Sequence, residues 1–294
     1  VLITGATGFL GRHLIPRLVF SHSVRCLVRK SSDISSLERK NVQIFYGDLT
    51  DQESLVQATQ GVDVVIHMAA ACRQELRENM SEVNVEGTRR LVNACKAQKV
   101  SKLIYLSSVA VLFEGDLQND EYCYTKRIAE EIVMESGMPV IVLRPSAIYP
   151  EKGGFTVPVK IARYFPILPL PVSILEKKLQ QPVAVENVIE VILVALNTDK
   201  LKVNKPYFVV GPNTQTISEL LDKTTVYPFK PLKIKVPDFI LKGLASLGVP
   251  IDLGHLKKRQ RIYNFDIAES VKDFDYNPLD ISVAIHGGKG RDLY

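Results

Sequence analysis

Three glycines, spaced three positions apart, follow the first apolar residues of the chain in VLITGATGFLGRHL. Glycine is unfavourable inside helices and strands, so this spacing predicts a turn that other residues cannot form. VLIT predicts a strand and FLGRHLIPRLV an amphipathic helix, with the glycines between them. There, Gly5 makes the tight turn, Gly8 lets a pyrophosphate approach the helix N-terminus, and Gly11 lets helix and strand pack closely. The alternative is a tight turn that binds nothing.

The first half of the sequence repeats this strand–helix unit. Short apolar runs alternate with amphipathic segments, which is typical of βαβ units and a parallel sheet. The predicted strands are 1–4, 24–28, 42–46, 62–67, 102–107 and 139–144, and the predicted helices are roughly 9–20, 51–59, 82–98 and 122–136. Six such strands predict an α/β fold with a doubly wound parallel sheet of the Rossmann type. Thr50 and Glu53 in TDQE predict a capping box that starts the helix 51–59.

The sequence changes in character after residue 149, where prolines become frequent. We predict a first domain over 1–149 and a smaller, interleaved α/β region over 150–294. The stretch 181–212 again reads as strand, helix and strand, so we expect it to return to the first domain. TISELLDK (216–223) predicts a capped helix.

Composition excludes several classes of function. The net charge of +5 is mild and spread out, and the densest basic run, LKKRQR, is typical of a solvated helix face rather than of a nucleic-acid site. No apolar run reaches the ~18 residues of a membrane span. The four cysteines and five histidines show no disulfide or metal spacing. We expect reduced thiols, no metal and a cytoplasmic location.

The residues after the second and third strands bear on the choice of cofactor. An acid after the second strand would bind the ribose 2′-hydroxyl of NAD, but this chain reads CLVRKSSD. Arg29 suits a 2′-phosphate instead, so we predict NADP(H), with NAD(H) as the alternative. The alternative is that Arg29 belongs to a solvated basic turn. Asp48 after the third strand is predicted to accept the adenine amino proton or, equally, to cap a helix.

Two motifs are candidates for catalysis. In EYCYTKRIAEE, Tyr122 and Lys126 stand four residues apart at a helix start, which places both on one helix face. An ammonium near a phenol favours the phenolate, so Tyr122 can act as an acid or base. In KLIYLSSVAV, Ser107 and Ser108 end the fifth strand, where such sheets bind ligands. The alternatives are a surface tyrosine–lysine pair and a merely polar strand end.

Seven motifs occur together in the order seen in one superfamily. They are TGATGFLG, GDLTD, HMAA, NVEGT, LSSVAV, YCYTK and LRPSAIYP, and QQPVAVENV followed by YFVVGP extends the match to about residue 215. The chain resembles the extended and atypical short-chain dehydrogenase/reductases, similar to the NAD-dependent epimerases and dehydratases. The resemblance implies an NAD(P)-binding Rossmann domain and a carboxyl-terminal region that covers a small-molecule substrate.

The resemblance also implies roles for individual residues. Tyr122 would be the acid/base, Lys126 would hold the nicotinamide ribose and lower the tyrosine pKa, and Ser108 would position the substrate oxygen. Asn84 would lie beside that site, and Ser146 would pass near the nicotinamide. The implied cofactor-binding residues are Gly5, Thr7, Gly8, Phe9, Leu10, Gly11, Arg29, Asp48, Leu49, Ala69, Ala70, Lys126, Pro145 and Ile148.

Two departures from the superfamily pattern bear on the substrate. Only 13 residues separate Ser108 from Tyr122, and Leu112 and Phe113 replace a tyrosine and a glycine. Both argue against a nucleotide sugar. The leading prediction is therefore an NADPH-dependent carbonyl reductase, and the alternative is a nucleotide-sugar epimerase or dehydratase. A non-catalytic assembly or regulatory subunit, related to the accessory subunit of respiratory complex I, is the third reading. The resemblance further suggests a homodimer through helices 82–98 and 122–136, with a monomer as the alternative.

Overall fold

The computed structural model describes residues 1–71, 80–113, 121–149, 167–171, 178–198, 204–216, 218–219, 232–237, 239–240 and 264–280. Contacts divide the chain into two compact units. The first contains Val1–Pro145, Val188–Val209 and Ile267–Tyr276, and the second contains Ser146–Asn187, Val210–Asp266 and Asn277–Tyr294.

The first unit is built on a seven-stranded parallel sheet in the order β11-β6-β5-β4-β1-β2-β3. Its strands are β1 (Leu2–Thr4), β2 (Val24–Val28), β3 (Val42–Tyr46), β4 (Val64–His67), β5 (Lys102–Leu106), β6 (Val140–Pro145) and β11 (Lys205–Val209). Its helices are α1 (Phe9–Leu18), α2 (Gln52–Thr59), α3 (Gly87–Ala97), α4 (Glu121–Met134) and α6 (Ala268–Phe274), and α5 (Val185–Asn197) lies mostly in it. The predicted doubly wound Rossmann fold is confirmed.

The central strands are buried on both faces, which explains their continuous apolar sequences. Residues in β1, β4, β5 and β6 are almost fully buried, and a core cluster containing Leu55, Leu91 and Val133 covers them from α2, α3 and α4. In parallel strands all carboxyl ends meet at one edge of the sheet. Thr4, Val28, His67 and Leu106 therefore bring the following loops together.

Strand β11 extends the sheet beyond the six strands of the first half. It pairs with β6 along its whole length, from Lys205 opposite Ile141 to Val209 opposite Pro145. The buried ammonium of Lys102 on β5 donates to the carbonyls of Ala195, Leu196 and Thr198 at 3.0–3.3 Å, which satisfies the end of α5.

The second unit contains three two-stranded sheets among its described residues. They are formed by β7 (Ile148–Tyr149) with β10 (Val183–Ala184), β8 (Ile167–Pro171) with β13 (Leu232–Val236), and β9 (Lys178–Gln180) with β12 (Gln215–Thr216). The side-chain amide of Gln181 joins two chain segments of this unit. Its nitrogen donates to the carbonyl of Gly211, and its oxygen accepts from the backbone amide of Phe265 at 2.7 Å.

The two predicted helix starts have different outcomes. The backbone amide of Thr216 donates to the carboxylate of Glu219 at 2.6 Å, and the backbone amide of Glu219 donates to the hydroxyl of Thr216 at 3.0 Å, which is a capping box. Residues 220–223 of that predicted helix lie outside the described residues. The predicted capping box at Thr50 and Glu53 is wrong. Asp51 caps α2 by accepting from the amide of Glu53, while Asp48 accepts from the amide and hydroxyl of Thr50 at 2.9 Å.

None of the helices in the described parts of the chain combines the length and apolarity needed to cross a lipid bilayer.

Candidate active site

The glycine turn joins β1 to α1. At two of its three glycines, for different reasons, a larger residue would not fit. Gly5 has φ +76°, and a Cβ there would lie 2.8 Å from the backbone nitrogen of Ala69. A Cβ on Gly11 would lie 2.1 Å from the carbonyl oxygen of Ala6. Gly8 is the N-cap of α1, where no side chain caps the helix and no acid stands in the first turn. The helix N-terminus is thus suited to an anionic ligand.

A cavity of about 300 Å³ opens beside this turn, at the carboxyl edge of the sheet. Its lining comes from the ends of β1, β2, β3 and β4 and from the segment after β4. The lining residues predicted from the sequence are Gly5, Thr7, Gly8, Arg29, Asp48, Leu49, Ala69 and Ala70, and those not predicted are Thr4, Leu27, Val28, Ser32, Gly47, Met68, Ala71 and Val83. The cavity therefore gathers predicted residues from four separate loops.

The wall that follows β2 carries a cation and no acid. Arg29 and Ser32 line the cavity, and Arg29 with Lys30 also lines an adjoining open cavity of about 390 Å³. The first acid after β2, Asp33, is exposed and accepts from the amide of Ser35 at 3.0 Å, a contact that lowers the pKa of Asp33. Asp48 lines the cavity and accepts from the amide and hydroxyl of Thr50 with one carboxylate oxygen, but it does not cap α2, because Asp51 takes that role.

A buried histidine holds the segment that lines the cavity after β4. Nδ1 of His67 lies 2.7 Å from the hydroxyl of Thr4, and Nε2 lies 3.0 Å from the hydroxyl of Thr88. Because the Thr88 hydroxyl donates to the carbonyl of Asn84 at 2.6 Å, we assign the ring proton to Nε2. Burial, with a smaller effect of Lys126, lowers the pKa of His67 to about 3, so the ring is neutral. The Thr4 hydroxyl in turn accepts from the amide of Ala69.

Asn84 connects the cavity to α4. It lies in a π-helical turn, Ser81–Glu86, that precedes α3. Its side chain accepts from the amide of Ala71 at 2.7 Å and donates to the carbonyl of Ala71 and to the hydroxyl of Thr125, both at 3.0 Å. The Thr125 hydroxyl donates to the carbonyl of Tyr122 at 3.2 Å. A short chain of hydrogen bonds thus links the cavity wall to the first turn of α4.

Helix α4 carries Tyr122 and Lys126 one turn apart. Lys126 is 2% exposed, donates to the carbonyl of Leu106 at 2.7 Å, and lies 4.3 Å from the centroid of the Tyr105 ring. Tyr122 is half-buried, whereas Tyr124 is 50% exposed on another face of the helix. Burial raises the pKa of Tyr105 well above its usual value, with smaller effects of Tyr122 and Glu130.

The two serines after β5 point to different partners. The hydroxyl of Ser107 donates to the carboxylate of Glu130 and is buried, which commits it to the protein interior. The hydroxyl of Ser108 accepts from the amide of Ala110 at 3.1 Å and begins a 3₁₀ turn, Val109–Leu112. The structure therefore separates the two serines that the spacing alone left together.

Six predicted cofactor residues do not line the cavity wall, and Lys126 on α4, described above, is one of them. Phe9 is 43% exposed and packs edge-to-face on His13, Leu10 is half-buried, and Gly11 contacts Ala6. Pro145 ends β6, and Ile148 belongs to β7 of the second unit. Residues 114–120, in the short segment between Ser108 and Tyr122, and residues 150–166, at the start of the predicted second region, lie outside the described residues.

His67, Thr4, Thr88 and Thr125 support the site but are not predicted from the sequence, although His67 stands in the HMAA motif. Glu130, one turn beyond Lys126, is likewise not predicted from the sequence. The sequence did contain a signal for Glu130, because it continues the four-residue spacing of Tyr122 and Lys126 on the same helix face.

Comparison with known proteins gives the family. The model of the 3-beta hydroxysteroid dehydrogenase/isomerase family matches residues 2–214. Sterol demethylase protein B of Methylococcus capsulatus is 28% identical over 90% of this chain and 85% of that protein. The 2-alkyl-3-oxoalkanoate reductase of Shewanella oneidensis is 26% identical over 98% of this chain and 84% of that protein.

Solved structures agree on the fold. The crystal structure of gox2253 aligns with a TM-score of 0.78 and 27% identity, over 97% of this chain and 94% of that chain. The UDP-glucuronic acid 4-epimerase of Bacillus cereus in complex with NAD aligns with a TM-score of 0.70 and 20% identity, over 97% and 95%. The predicted enzyme class, an NAD(P)-dependent oxidoreductase of the extended short-chain type, is confirmed. The chain belongs to the 3-beta hydroxysteroid dehydrogenase/isomerase family.

Proposed function

We propose that the protein interconverts a secondary alcohol and a ketone on an apolar substrate, with NADP(H) as cofactor and Tyr122 as the acid/base. One observation carries the proposal. The helix that bears Tyr122 and Lys126 is bonded both to the end of β5 and, through Thr125 and Asn84, to the wall of the cavity beside the glycine turn. A proton-transferring group is thereby fixed relative to a dinucleotide-type cavity.

The residues of the turn fit a dinucleotide. Gly8 exposes the start of α1, which has no acid in its first turn and therefore favours a pyrophosphate, while Gly5 and Gly11 allow the close backbone contacts with Ala69 and Ala6 that shape the turn. Ala69 and Ala70 line the same cavity with small side chains. Arg29 supplies the cation that recognises a 2′-phosphate, and no carboxylate after β2 competes for a 2′-hydroxyl, because Asp33 is engaged with Ser35.

The proposed mechanism assigns each side chain one task. When bound, the nicotinamide supplies or accepts a hydride. In the direction of reduction, Tyr122 donates its hydroxyl proton to the substrate oxygen, and in oxidation it takes that proton back. The ammonium of Lys126, one turn away, favours the phenolate form. Ser108, whose oxygen already accepts from Ala110, donates its hydroxyl hydrogen to the same substrate oxygen.

The substrate class is argued from the relatives and from the residues after Ser108. The name of the matching family gives a 3-hydroxysteroid, and the names of the two relatives give a sterol and a 2-alkyl-3-oxoalkanoate. Val109–Leu112 follow Ser108 directly as an apolar turn, and Leu112 is 41% exposed. We therefore propose a 3-oxo or 3-hydroxy group on a sterol or an alkyl acid.

The experiment is an NAD(P)H oxidation assay with a matched substrate panel. We expect turnover of a 3-oxosteroid or a 2-alkyl-3-oxo acid, and the reverse reaction with the corresponding alcohol. UDP-glucose serves as the competing substrate, with epimerisation followed by product analysis. Epimerisation of UDP-glucose without net cofactor oxidation would overturn the proposal in favour of the epimerase alternative.

The cofactor choice has its own test in Arg29→Asp. Loss of a charge-assisted contact to a phosphate costs about 1.5–3 kcal/mol, so we expect the Kd of NADPH to rise roughly 10- to 100-fold. The Kd of NADH should change much less, because NADH has no 2′-phosphate. Fluorescence titration of cofactor-stripped protein measures both constants.

Arg39→Asp is the matched control. Arg39 is exposed, precedes the amino end of β3, and undergoes the same charge change at the opposite edge of the sheet. If Arg29→Asp weakens NADPH and NADH equally, or no more than Arg39→Asp does, Arg29 does not bind the 2′-phosphate.

A further inference from the structure

A buried ion pair lies under the end of β5, and the proposed mechanism does not use it. Glu130 on α4 is 6% exposed, and each of its carboxylate oxygens accepts from Nε of Arg144 at 3.1 Å. A second guanidinium nitrogen of Arg144 and the hydroxyl of Ser107 also donate to it. The carboxylate is thus held by three donors, two from Arg144 of β6 and one from Ser107 directly after β5, which fixes its position closely.

Glu130 continues the row of Tyr122 and Lys126. The three residues stand four apart on α4 and therefore share one helix face. Lys126 bonds the carbonyl of Leu106, and Glu130 bonds the hydroxyl of Ser107. Two consecutive turns of the helix thereby hold two consecutive residues at the end of β5, immediately before Ser108.

Arg144 brings in a third element of the first unit. It stands in β6 directly before Pro145, and its guanidinium carbon lies 5.8 Å from the centroid of the Phe208 ring on β11. The pair therefore joins α4, β5 and β6 at the edge of the sheet where the candidate site lies. A charge pair placed there can set the distance between Tyr122 and Ser108, although it reaches neither substrate nor cofactor in the proposed mechanism.

We propose that Glu130 is a positioning residue, which holds the helix face of Tyr122 and Lys126 in register with Ser108 through Ser107 and Arg144. The activity readouts of this inference rest on the proposed function. One further readout, the ionisation of Tyr122, needs neither substrate nor cofactor.

The charges around Glu130 determine the sign of that readout. The groups around it are Arg144 from β6, Tyr105 from β5 and Ser107 directly after β5, the neighbours Lys126, Arg127 and Glu131 on α4, and the apolar Val111 and Leu112 of the 3₁₀ turn. Glu130→Gln removes a buried negative charge and leaves Arg144 and Lys126 positive. Positive charge favours the phenolate, so the pKa of Tyr122 should fall, by roughly half a unit to one unit at a helical separation of about 12 Å.

The experiment compares Glu130→Gln with Glu131→Gln. Glu131 is the adjacent residue, pairs with Arg127 on the exposed helix face, and undergoes the same substitution. For Glu130→Gln we expect kcat to fall about 10- to 100-fold with KM and the Kd of NADPH nearly unchanged, since a small misplacement acts on the chemical step. Tyrosinate absorbance, taken as the difference from matching Tyr122→Phe proteins, should titrate at lower pH. Glu131→Gln should match the wild type in all four measurements.

A double variant, Glu130→Gln with Arg144→Met, separates positioning from stability. It removes the unpaired buried cation and should recover much of the melting temperature that Glu130→Gln loses. We expect its kcat to stay low, because Ser107 has still lost its carboxylate. Wild-type kcat in the double variant, or an unshifted Tyr122 titration in Glu130→Gln, would overturn the inference. A wild-type protein that reduces none of the panel would overturn the proposed function, while the tyrosine titration would still decide this inference.

Discussion

Replacing Tyr122 with phenylalanine is expected to lower kcat by about 100- to 10,000-fold, the range that a positioned proton donor contributes. The substitution removes only the hydroxyl. The backbone carbonyl of Tyr122 still accepts from Thr125, and Lys126 still bonds Leu106, so the start of α4 keeps its anchors. Affinity for NADPH should therefore change little. Steady-state assays with the best substrate of the panel, together with cofactor titration, measure both effects.

Tyr124→Phe is the matched control for that experiment. Tyr124 undergoes the same chemical change two residues away, and its side chain is 50% exposed on another face of the helix. We expect wild-type kcat from this protein. If Tyr122→Phe keeps full activity, or if both variants lose it equally, Tyr122 is not the acid/base and the proposed mechanism fails.

Much of the first unit is local in origin, which is why the sequence predicts it. The six strands of the first half and the glycine turn follow from apolar runs, β-branched residues and glycine spacing, and each appears within two residues of its predicted bounds. The match of the family model to residues 2–214 agrees with the resemblance seen up to about residue 215.

Side-chain partnerships were harder to predict. Thr50–Glu53 and Thr216–Glu219 have the same spacing, but only the second forms a capping box. At the first, Asp48 captures Thr50, and Asp51 becomes the cap in its place. The local sequence does not determine whether Thr50 or the adjacent Asp51 caps α2. The position of the preceding strand, β3, determines where the chain enters the helix.

Contacts between residues that lie far apart in the sequence were even harder to predict, because tertiary packing creates them. Glu130 and Arg144 stand 14 positions apart on a helix and a strand, and they meet because α4 packs on the sheet beside β6. Ser107 and Ser108 are chemically identical in the sequence, and only the direction of the strand end separates them. The preference for NADP(H), the homodimer and the residue roles stay predictions.

The other large effect is expected from Gly5→Ala. At φ +76° an L-residue costs about 1–2 kcal/mol, and the new Cβ would also lie 2.8 Å from the backbone nitrogen of Ala69. That contact can be relieved only by moving the backbone of Met68 and Ala69, which line the cavity. We therefore expect a lower melting temperature and a Kd for NADPH raised by at least about tenfold, which corresponds to ~1.4 kcal/mol of lost binding.

Gly137→Ala separates the two contributions to that effect. Gly137 has φ +75°, nearly the same as Gly5, but a Cβ there would meet nothing within 4 Å. It should lose the same ~1–2 kcal/mol of stability from backbone strain and keep wild-type affinity for NADPH. Thermal unfolding gives the first quantity and fluorescence titration the second. Equal NADPH affinities in the two variants would mean that Gly5 is required only by the turn and that its approach to Ala69 plays no part in holding the cofactor.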